Sequence, residues 1–228
     1  MPTLSIVVPV YNERRYIKEI LKRLQALTVG QMAKEVIIVD DGSTDGTVEI
    51  LKEISQPGWQ IIFSSRNEGK GSALRKGFAK TTGEIVAIQD ADLEYHPFDL
   101  RPLVELVAAK QTQVAYGSRM INKNPIGHIS YYLGNKLISW LAQVLYQVKI
   151  TDVETCYKVF DGQLLRSLRL EQDDFAFEVE VTAKILKQGI KIIELPISYQ
   201  PRQFAEGKKI SWLDGLKALW LLVKYRFD

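Results

Sequence analysis

EVIIVDD, residues 35–41, runs apolar from Val36 to Val39 and then ends on two adjacent acids, Asp40 and Asp41. A strand with one wet face alternates apolar and polar residues, whereas a strand without alternation is covered on both faces. LSIVVPVY (4–11), WQIIFSS (59–65) and EIVAIQD (84–90) read the same way on either side of it. Between these runs the period changes. Tyr16, Ile17, Ile20, Leu21, Leu24 and Leu27 fall on one helical face. Thr47, Ile50, Leu51 and Ile54 mark a second helix, with Asp45 placed to cap it, and a third runs through Leu74, Gly77 and Phe78. Strands and helices in alternation predict an α/β fold, a Rossmann-like and mostly parallel sheet with helices on both faces.

The second half is less regular. VAYGSR (114–119) and TCYKVF (155–160) read as strands, and KIIELPISY (191–199) as a strand placed at an edge by Pro196. A helix carries Leu137, Trp140, Leu141, Val144, Leu145 and Val148 on one face and Ser139, Gln143, Tyr146 and Gln147 on the other. Another spans Val179 to Gln188 and stops at Gly189. The last helix has Trp212, Leu216, Leu219, Trp220, Val223 and Phe227 beside Lys208, Lys209, Lys217, Lys224 and Arg226. Two amphipathic faces of this kind suit either the sheet or a membrane surface.

Composition narrows the function classes. With 228 residues, 46% hydrophobic and 25% charged, the chain is one ordinary globular domain. Thirty basic against 27 acidic residues leave +3, too balanced for a nucleic-acid binder. The single cysteine, Cys156, excludes an internal disulfide and fits the reducing cytoplasm. The N-terminus has no basic segment before an apolar one, so no signal peptide is expected. The run LISWLAQVLYQV (137–148) falls short of the ~20 residues of a spanning helix, so any membrane contact is expected to be peripheral.

In open α/β sheets ligands bind beyond the carboxyl ends of the strands. Those ends carry Tyr11-Asn12-Glu13, Asp40-Asp41, Ser64-Ser65-Arg66 and Asp90-Ala91-Asp92. Asp90 and Asp92, with Glu94 two residues on, suit a hard Mg²⁺ or Mn²⁺ ion bridging to a diphosphate, or equally cap the helix starting near Pro97. Asp41 suits the N–H donors of a nucleobase, while turn chemistry accounts for Ser43 and Asp45. NEGKG (67–71) places Lys70 between two glycines at a helix start, an anion-binding pattern. Arg202, Lys208 and Lys209 lie in a polar loop that either closes over phosphates or is simply solvated. No P-loop, GxGxxG, GxSxG or His/Cys zinc pattern occurs.

In order and spacing, SIVVPVYNE, VIIVDDGSTDGT, NEGKGSALRKGF and IQDADLEYHP resemble the family 2 glycosyltransferases of the GT-A fold. VAYGSR, TDVETCYKVF, FAFEVEVTAKI and ELPISYQPRQFAEGKKISWLDG extend the resemblance over nearly the whole chain, towards the dolichol-phosphate mannose synthase-like branch. The resemblance implies transfer of a sugar from a GDP- or UDP-sugar to a polyprenyl phosphate, at the cytoplasmic membrane face. It implies a nucleotide-sugar half (1–120) and an acceptor half (121–228) that includes the C-terminal amphipathic helix. Pro9, Tyr11, Glu13, Asp41, Lys70 and Asp90 would then hold the donor nucleoside, with Lys208 or Lys209 behind Arg202 on its phosphates. Asp92, with Asp90 and Glu94, would hold Mg²⁺ or Mn²⁺, and Arg119 would sit near the transferred sugar and the acceptor phosphate. Related enzymes can carry further arginines after the GSR segment; here the cations are Lys123, His128 and Lys136.

The implied reaction is inverting. A lipid phosphate has a second pKa near ~6 and needs no base at neutral pH. A sugar hydroxyl, the alternative acceptor, would need one, and Asp152, Glu154, Glu178 and Glu180 are the candidates, with nothing in the sequence to choose among them. A phospho-acceptor switch module also uses paired strand-end acids, but after its first strand rather than its second.

Overall fold

The computed structural model describes residues 2–202 and 212–228. Seven strands form one sheet: β1 (Thr3–Val10), β2 (Ala33–Asp40), β3 (Trp59–Phe63), β4 (Ile85–Ile88), β5 (Val114–Ser118), β6 (Lys158–Asp161) and β7 (Ile192–Pro196). Their spatial order is β3-β2-β1-β4-β6-β5-β7. All pairs are parallel except those of β6, which runs against both β4 and β5. The mostly parallel sheet expected from the apolar runs is therefore present. The strand expected over 155–160 begins only at Lys158. Before it, the Thr155 hydroxyl donates to the Gly117 carbonyl and accepts from the Tyr157 amide, closing a local turn instead of a ladder. Pro196 ends β7 at the sheet edge, where its missing N–H costs no ladder bond.

Helices cover both faces. On one side α1 (Ile17–Ala26), α2 (Thr47–Lys52) and α4 (Leu100–Ala108) pack on Leu4, Ile6, Val8 and Val36. On the other, α3 (Lys70–Phe78), α5 (Ile129–Tyr146), α6 (Gly162–Ser167), α7 (Phe177–Lys187) and α8 (Trp212–Phe227) pack on Val7, Ile37, Val39 and Val86. Gly46, not Asp45, is the N-cap of α2; Asp45 sits one residue earlier, its carboxylate accepting from the Thr47 amide at 3.0 Å and from the Thr47 hydroxyl.

The connection out of β1 leads to β2 on one side, while β4 lies on the other, so the strand order reverses between β1 and β4. That reversal opens a crevice at their carboxyl ends. The acids after β1, β2 and β4 are thereby delivered to one rim.

α3 sits unusually close to the sheet. A Cβ on Gly77 would overlap Val7 Cγ1 and press on Val39 Cγ2. Glycine to alanine in a helix ordinarily stabilises by ~1 kcal/mol. Here overpacking reverses the sign: Gly77→Ala is expected to destabilise the fold by roughly 1–3 kcal/mol, read from the urea midpoint.

Candidate functional site

A cleft of about 1470 Å³ opens at the reversal point. Pro9, Tyr11, Glu13, Asp41, Lys70, Asp90, Asp92, Glu94, Arg119 and Arg202 all line it. Lys208 and Lys209 lie outside the described residues. Ser64 and Arg66, also at a strand end, do not line the cleft. The Ser64 hydroxyl instead accepts from Lys76 at 2.8 Å.

The two acids after β2 divide their work. Asp40 makes the turn, its Oδ1 accepting from the amides of Gly42 and Ser43. Asp41 reaches across to the loop before α3 and accepts from the amides of Glu68 and Gly69, the latter at 2.7 Å. Burial raises its pKa despite those two amides. The NEGKG loop differs from the anion pattern. Its glycines admit the chain's own backbone, because a Cβ on Gly69 or Gly71 would strike the carbonyls of Asp173 or Gln172.

Lys70 is likewise not an open cation. Its ammonium sits 2.9 Å from Asp90 Oδ1, 2.9 Å from Cys156 Sγ and 3.1 Å from Glu178 Oε1. Fully buried Lys158 neutralises Glu178 from the other side. Burial works against the charge on Lys70, but Asp90 and Glu178 outweigh it and keep the side chain protonated. The same pairing holds Asp90 ionised in spite of its own burial.

Arg202 gathers the remaining acids. It donates to Asp92 at 2.8 Å and to both oxygens of Glu13 at 3.2 Å. Its backbone amide donates to Glu94 at 2.8 Å, and the Tyr199 hydroxyl donates to the other Glu94 oxygen at 3.1 Å. Burial, with Asp90 alongside and Arg202 opposing, pushes Asp92 up to about 7. This arrangement departs from the expected three-carboxylate ligand set. Among the described residues no three His, Cys, Asp or Glu side chains converge as metal ligands. A buried carboxylate demands a cation partner, and here Lys70 takes Asp90, Arg202 takes Asp92, and Glu94 is engaged by the segment 199–202. Asp90 and Asp92 still offer the all-oxygen, negatively charged surroundings that suit a hard divalent ion.

Arg119 lines the cleft with part of its charge engaged inside the protein. Its Nε and Nη2 grip Asp152 at 2.8 and 2.7 Å, and the guanidinium lies over the Tyr199 ring. Of the four candidate bases, Asp152 is held by Arg119 and Asn135, and Glu178 by Lys158. Glu180 is held by Lys184 and by the amides of Glu171 and Gln172. Glu154 alone lines the cleft with a carboxylate that no described residue satisfies; its Oε1 is buried and without a partner. Burial, with Glu178 adding repulsion against Lys158 and Arg119, pushes it up to about 7.

α5 divides the apolar face read from the sequence. Leu141, Leu145 and Val148 pack against the core beside buried Ile138 and Ala142, while Leu137, Trp140 and Val144 face outward and are about half exposed. Asn135, Ser139 and Gln143 also face inward, bonding Asp152, the Val153 amide and the Ile150 carbonyl. On α8, Ala218, Leu221, Leu222 and Tyr225 make the buried face, while Leu216, Trp220, Val223 and Phe227 face outward. Gly134 of α5 and Gly215 of α8 both line the cleft. No atom lies within 4 Å of where a Cβ would stand on either glycine.

The sequence model of Glycosyl transferase family 2 matches residues 5–168. The chain belongs to glycosyl transferase family 2. It is 28% identical, over 96% of its length and 90% of the relative's, to an uncharacterised protein of Methanocaldococcus jannaschii. It is 27% identical to the dolichol-phosphate mannosyltransferase of Pyrococcus furiosus, over 90% of this chain and 58% of that one. It is 30% identical to the undecaprenyl-phosphate 4-deoxy-4-formamido-L-arabinose transferase of Edwardsiella ictaluri, over 90% and 62%. The chain therefore spans only about three-fifths of the length of these last two relatives. Glucosyl-3-phosphoglycerate synthase of Mycobacterium tuberculosis, solved with UDP, superimposes with a TM-score of 0.77 at 20% identity, over 99% of this chain and 80% of that one. The same enzyme with Mn²⁺, UDP and product gives 0.76. That likeness establishes the GT-A fold, and family membership makes the chain a glycosyltransferase.

Sequence reasoning missed Tyr199 and the charge-matching role of Lys158. Tyr199 carried no spacing signal. Lys158 did: a lysine inside the apolar strand TCYKVF must find a buried acid.

The Arg119–Asp152 pair yields a sharp expectation. Burial resists ionisation of Asp152, but Arg119 outweighs it and holds the carboxyl below its usual range. A depressed native pKa contributes stability above the unfolded value of ~3.9 and loses it as pH falls below that. Arg119→Ala should therefore cost about 3–5 kcal/mol at pH 7, the gap narrowing in acid as Asp152 protonates, with Arg119→Ala/Asp152→Asn recovering much of the loss in urea titrations.

Proposed function

We propose that this glycosyltransferase passes a sugar, with inversion, from a GDP- or UDP-sugar to a polyprenyl phosphate at the cytoplasmic face of a membrane. The observation that carries the acceptor assignment is the lining of the cleft. Beside the acids of the crevice it includes Gly134 and Ile138 of α5 and Gly215 and Ala218 of α8. Both helices also turn apolar side chains outward, with Lys136, Lys224 and Arg226 among them. An isoprenoid tail needs a passage from a polar site to an apolar surface, which these two helices would provide, and basic residues beside tryptophan suit anionic lipid headgroups. No helix among the described residues is long and apolar enough to cross a membrane, so the contact would be interfacial. The named activities of the P. furiosus and E. ictaluri relatives agree with this reading.

Pro9, Tyr11, Glu13 and Asp41 would surround the nucleoside, the last through whichever carboxylate lone pairs the loop amides leave open. Asp92, with Asp90 beside it, would hold Mg²⁺ or Mn²⁺, which neutralises charge on the donor diphosphate when bound. Arg202 stands next to the same acids and would donate to the departing phosphates, which develop charge as the glycosidic bond breaks. The acceptor phosphate, largely dianionic at neutral pH, attacks without losing a proton to the protein. Lys123 and His128 also line the cleft, and Lys123 would add a cation for the acceptor phosphate. Transfer to a sugar hydroxyl is the second reading, favoured by the unsatisfied carboxylate of Glu154.

Two measurements test the proposal. Mg²⁺ or Mn²⁺ with UDP or GDP should raise the melting temperature, and Asp92→Ala should abolish the metal-dependent part of that shift while the apo protein still melts cooperatively. A full shift in the variant would remove Asp92 from the ion site. Separately, Gly215→Trp should fill the passage. Transfer of radiolabelled sugar into an organic-extractable, mild-acid-labile product is expected to fall at least ~10-fold, with the nucleotide-induced melting shift unchanged. Label that stays in the aqueous phase with the wild-type enzyme would favour the hydroxyl acceptor.

A further inference from the structure

The buried acids on the wall of the cleft are matched one by one. Asp41 has two backbone amides, Asp90 has Lys70, Asp92 has Arg202, and Glu178 has Lys158. Asp152, behind Arg119, is matched too. Glu154 is the exception. It lies between the Arg119–Asp152 pair and the Lys70–Glu178–Lys158 chain, close enough to feel both, yet it bonds to neither. Its backbone is fixed, the amide pointing to Asn135 Oδ1 and the neighbouring Val153 amide to Ser139. The side chain is therefore aimed by a rigid turn into space that the protein leaves without a donor.

A buried acceptor without a donor is costly, and the cost is relieved when a ligand brings the donor. The chemistry of that ligand group can be narrowed. Neither the diphosphate nor a dianionic acceptor phosphate carries a donor for this oxygen, and either would push against the ionised carboxylate. A nucleobase has suitable donors, but the acids at the carboxyl ends of β1 and β2 already serve that end of the crevice. An uncharged polyol supplies several O–H donors and adds no charge. We propose that Glu154 binds the sugar being transferred, its carboxylate accepting hydrogen bonds from hydroxyl groups of the hexosyl unit, and so helps to set which donor is used. This rests on the nucleotide-sugar reading above.

The test compares nucleotide with nucleotide sugar. UDP, GDP, UDP-glucose and GDP-mannose are titrated calorimetrically, with Mn²⁺, into wild type, Glu154→Gln and Glu154→Ala. Both variants should bind the preferred nucleoside diphosphate within about 2-fold of wild type, which also shows that they fold. Affinity for the matching nucleotide sugar should drop roughly 10–100-fold, the range of a hydrogen bond to a charged group. Deoxy analogues of that sugar should then reveal the contact: loss of the critical hydroxyl should weaken binding to wild type but not to Glu154→Ala. A merely structural role would not produce that selectivity. Unchanged nucleotide-sugar affinity in both variants would overturn the proposal, and if transfer were also abolished in Glu154→Gln, Glu154 would be a base acting on a hydroxyl acceptor. If the wild-type protein bound none of the four probes, the donor reading itself would fall, and this assignment with it.

Discussion

The structure depends on the matching of buried charge at the carboxyl ends of β1, β2 and β4. The topology forces acids from three strands onto one rim, and burial makes each of them costly unless a cation or an amide faces it. The chain answers with cations from distant segments: Lys70 at the start of α3, Lys158 from β6, and Arg202 after β7. Lys70, through Glu178, and Arg202, through Glu13 and Asp92, tie the first and second halves together across the cleft. The site is thus also a set of long-range links, and removing one partner threatens the fold as well as the chemistry.

Much of this was legible in the residues. Apolar runs without alternation gave the sheet and its two helical layers, because a doubly buried strand has no polar position to spare. Strand-end acids at 41, 90 and 92 were readable as a common rim for the same reason. Partnerships were not. Lys70 resembles an anion-binding lysine in NEGKG, and only the fold reveals that Asp90 and Glu178 close around it. Arg119 likewise gives no sign in sequence that Asp152, 33 residues on, claims two of its donors. The helical period of α5 located an apolar face but not how much of it is buried. Inward positions are shared between Ile138, Leu141, Ala142 and Leu145, which meet the core, and Asn135, Ser139 and Gln143, which bond the segment 150–153.

This division of α5 links fold to the proposed acceptor. A helix that spends inward positions on polar residues presents some of its apolar ones outward, and α5 does so with Leu137, Trp140 and Val144 while α8 does so with Leu216, Trp220, Val223 and Phe227. Exposed apolar faces on two helices that line an acid-rich cleft are expensive in water. They would become favourable at a lipid surface, where the proposed acceptor keeps its tail.

Charge arithmetic at the other end of the cleft explains why a divalent ion suits this site. Arg202 faces three carboxylates: Glu13, Asp92 and Glu94. One guanidinium cannot neutralise three acids, and burial, with Asp90 and Glu94 adding repulsion against Arg202, pushes Asp92 up to about 7. A donor diphosphate would add further negative charge to that surplus. Arg202 cannot serve the acids and the phosphates in full at once, because its five N–H donors are fixed in one plane. Two positive charges brought in with the nucleotide would offset the surplus on Asp92 and free guanidinium donors for the leaving group. The acids that hold Arg202 are thus the same acids that would make a bare nucleotide a poor ligand and a metal-bound one a good one.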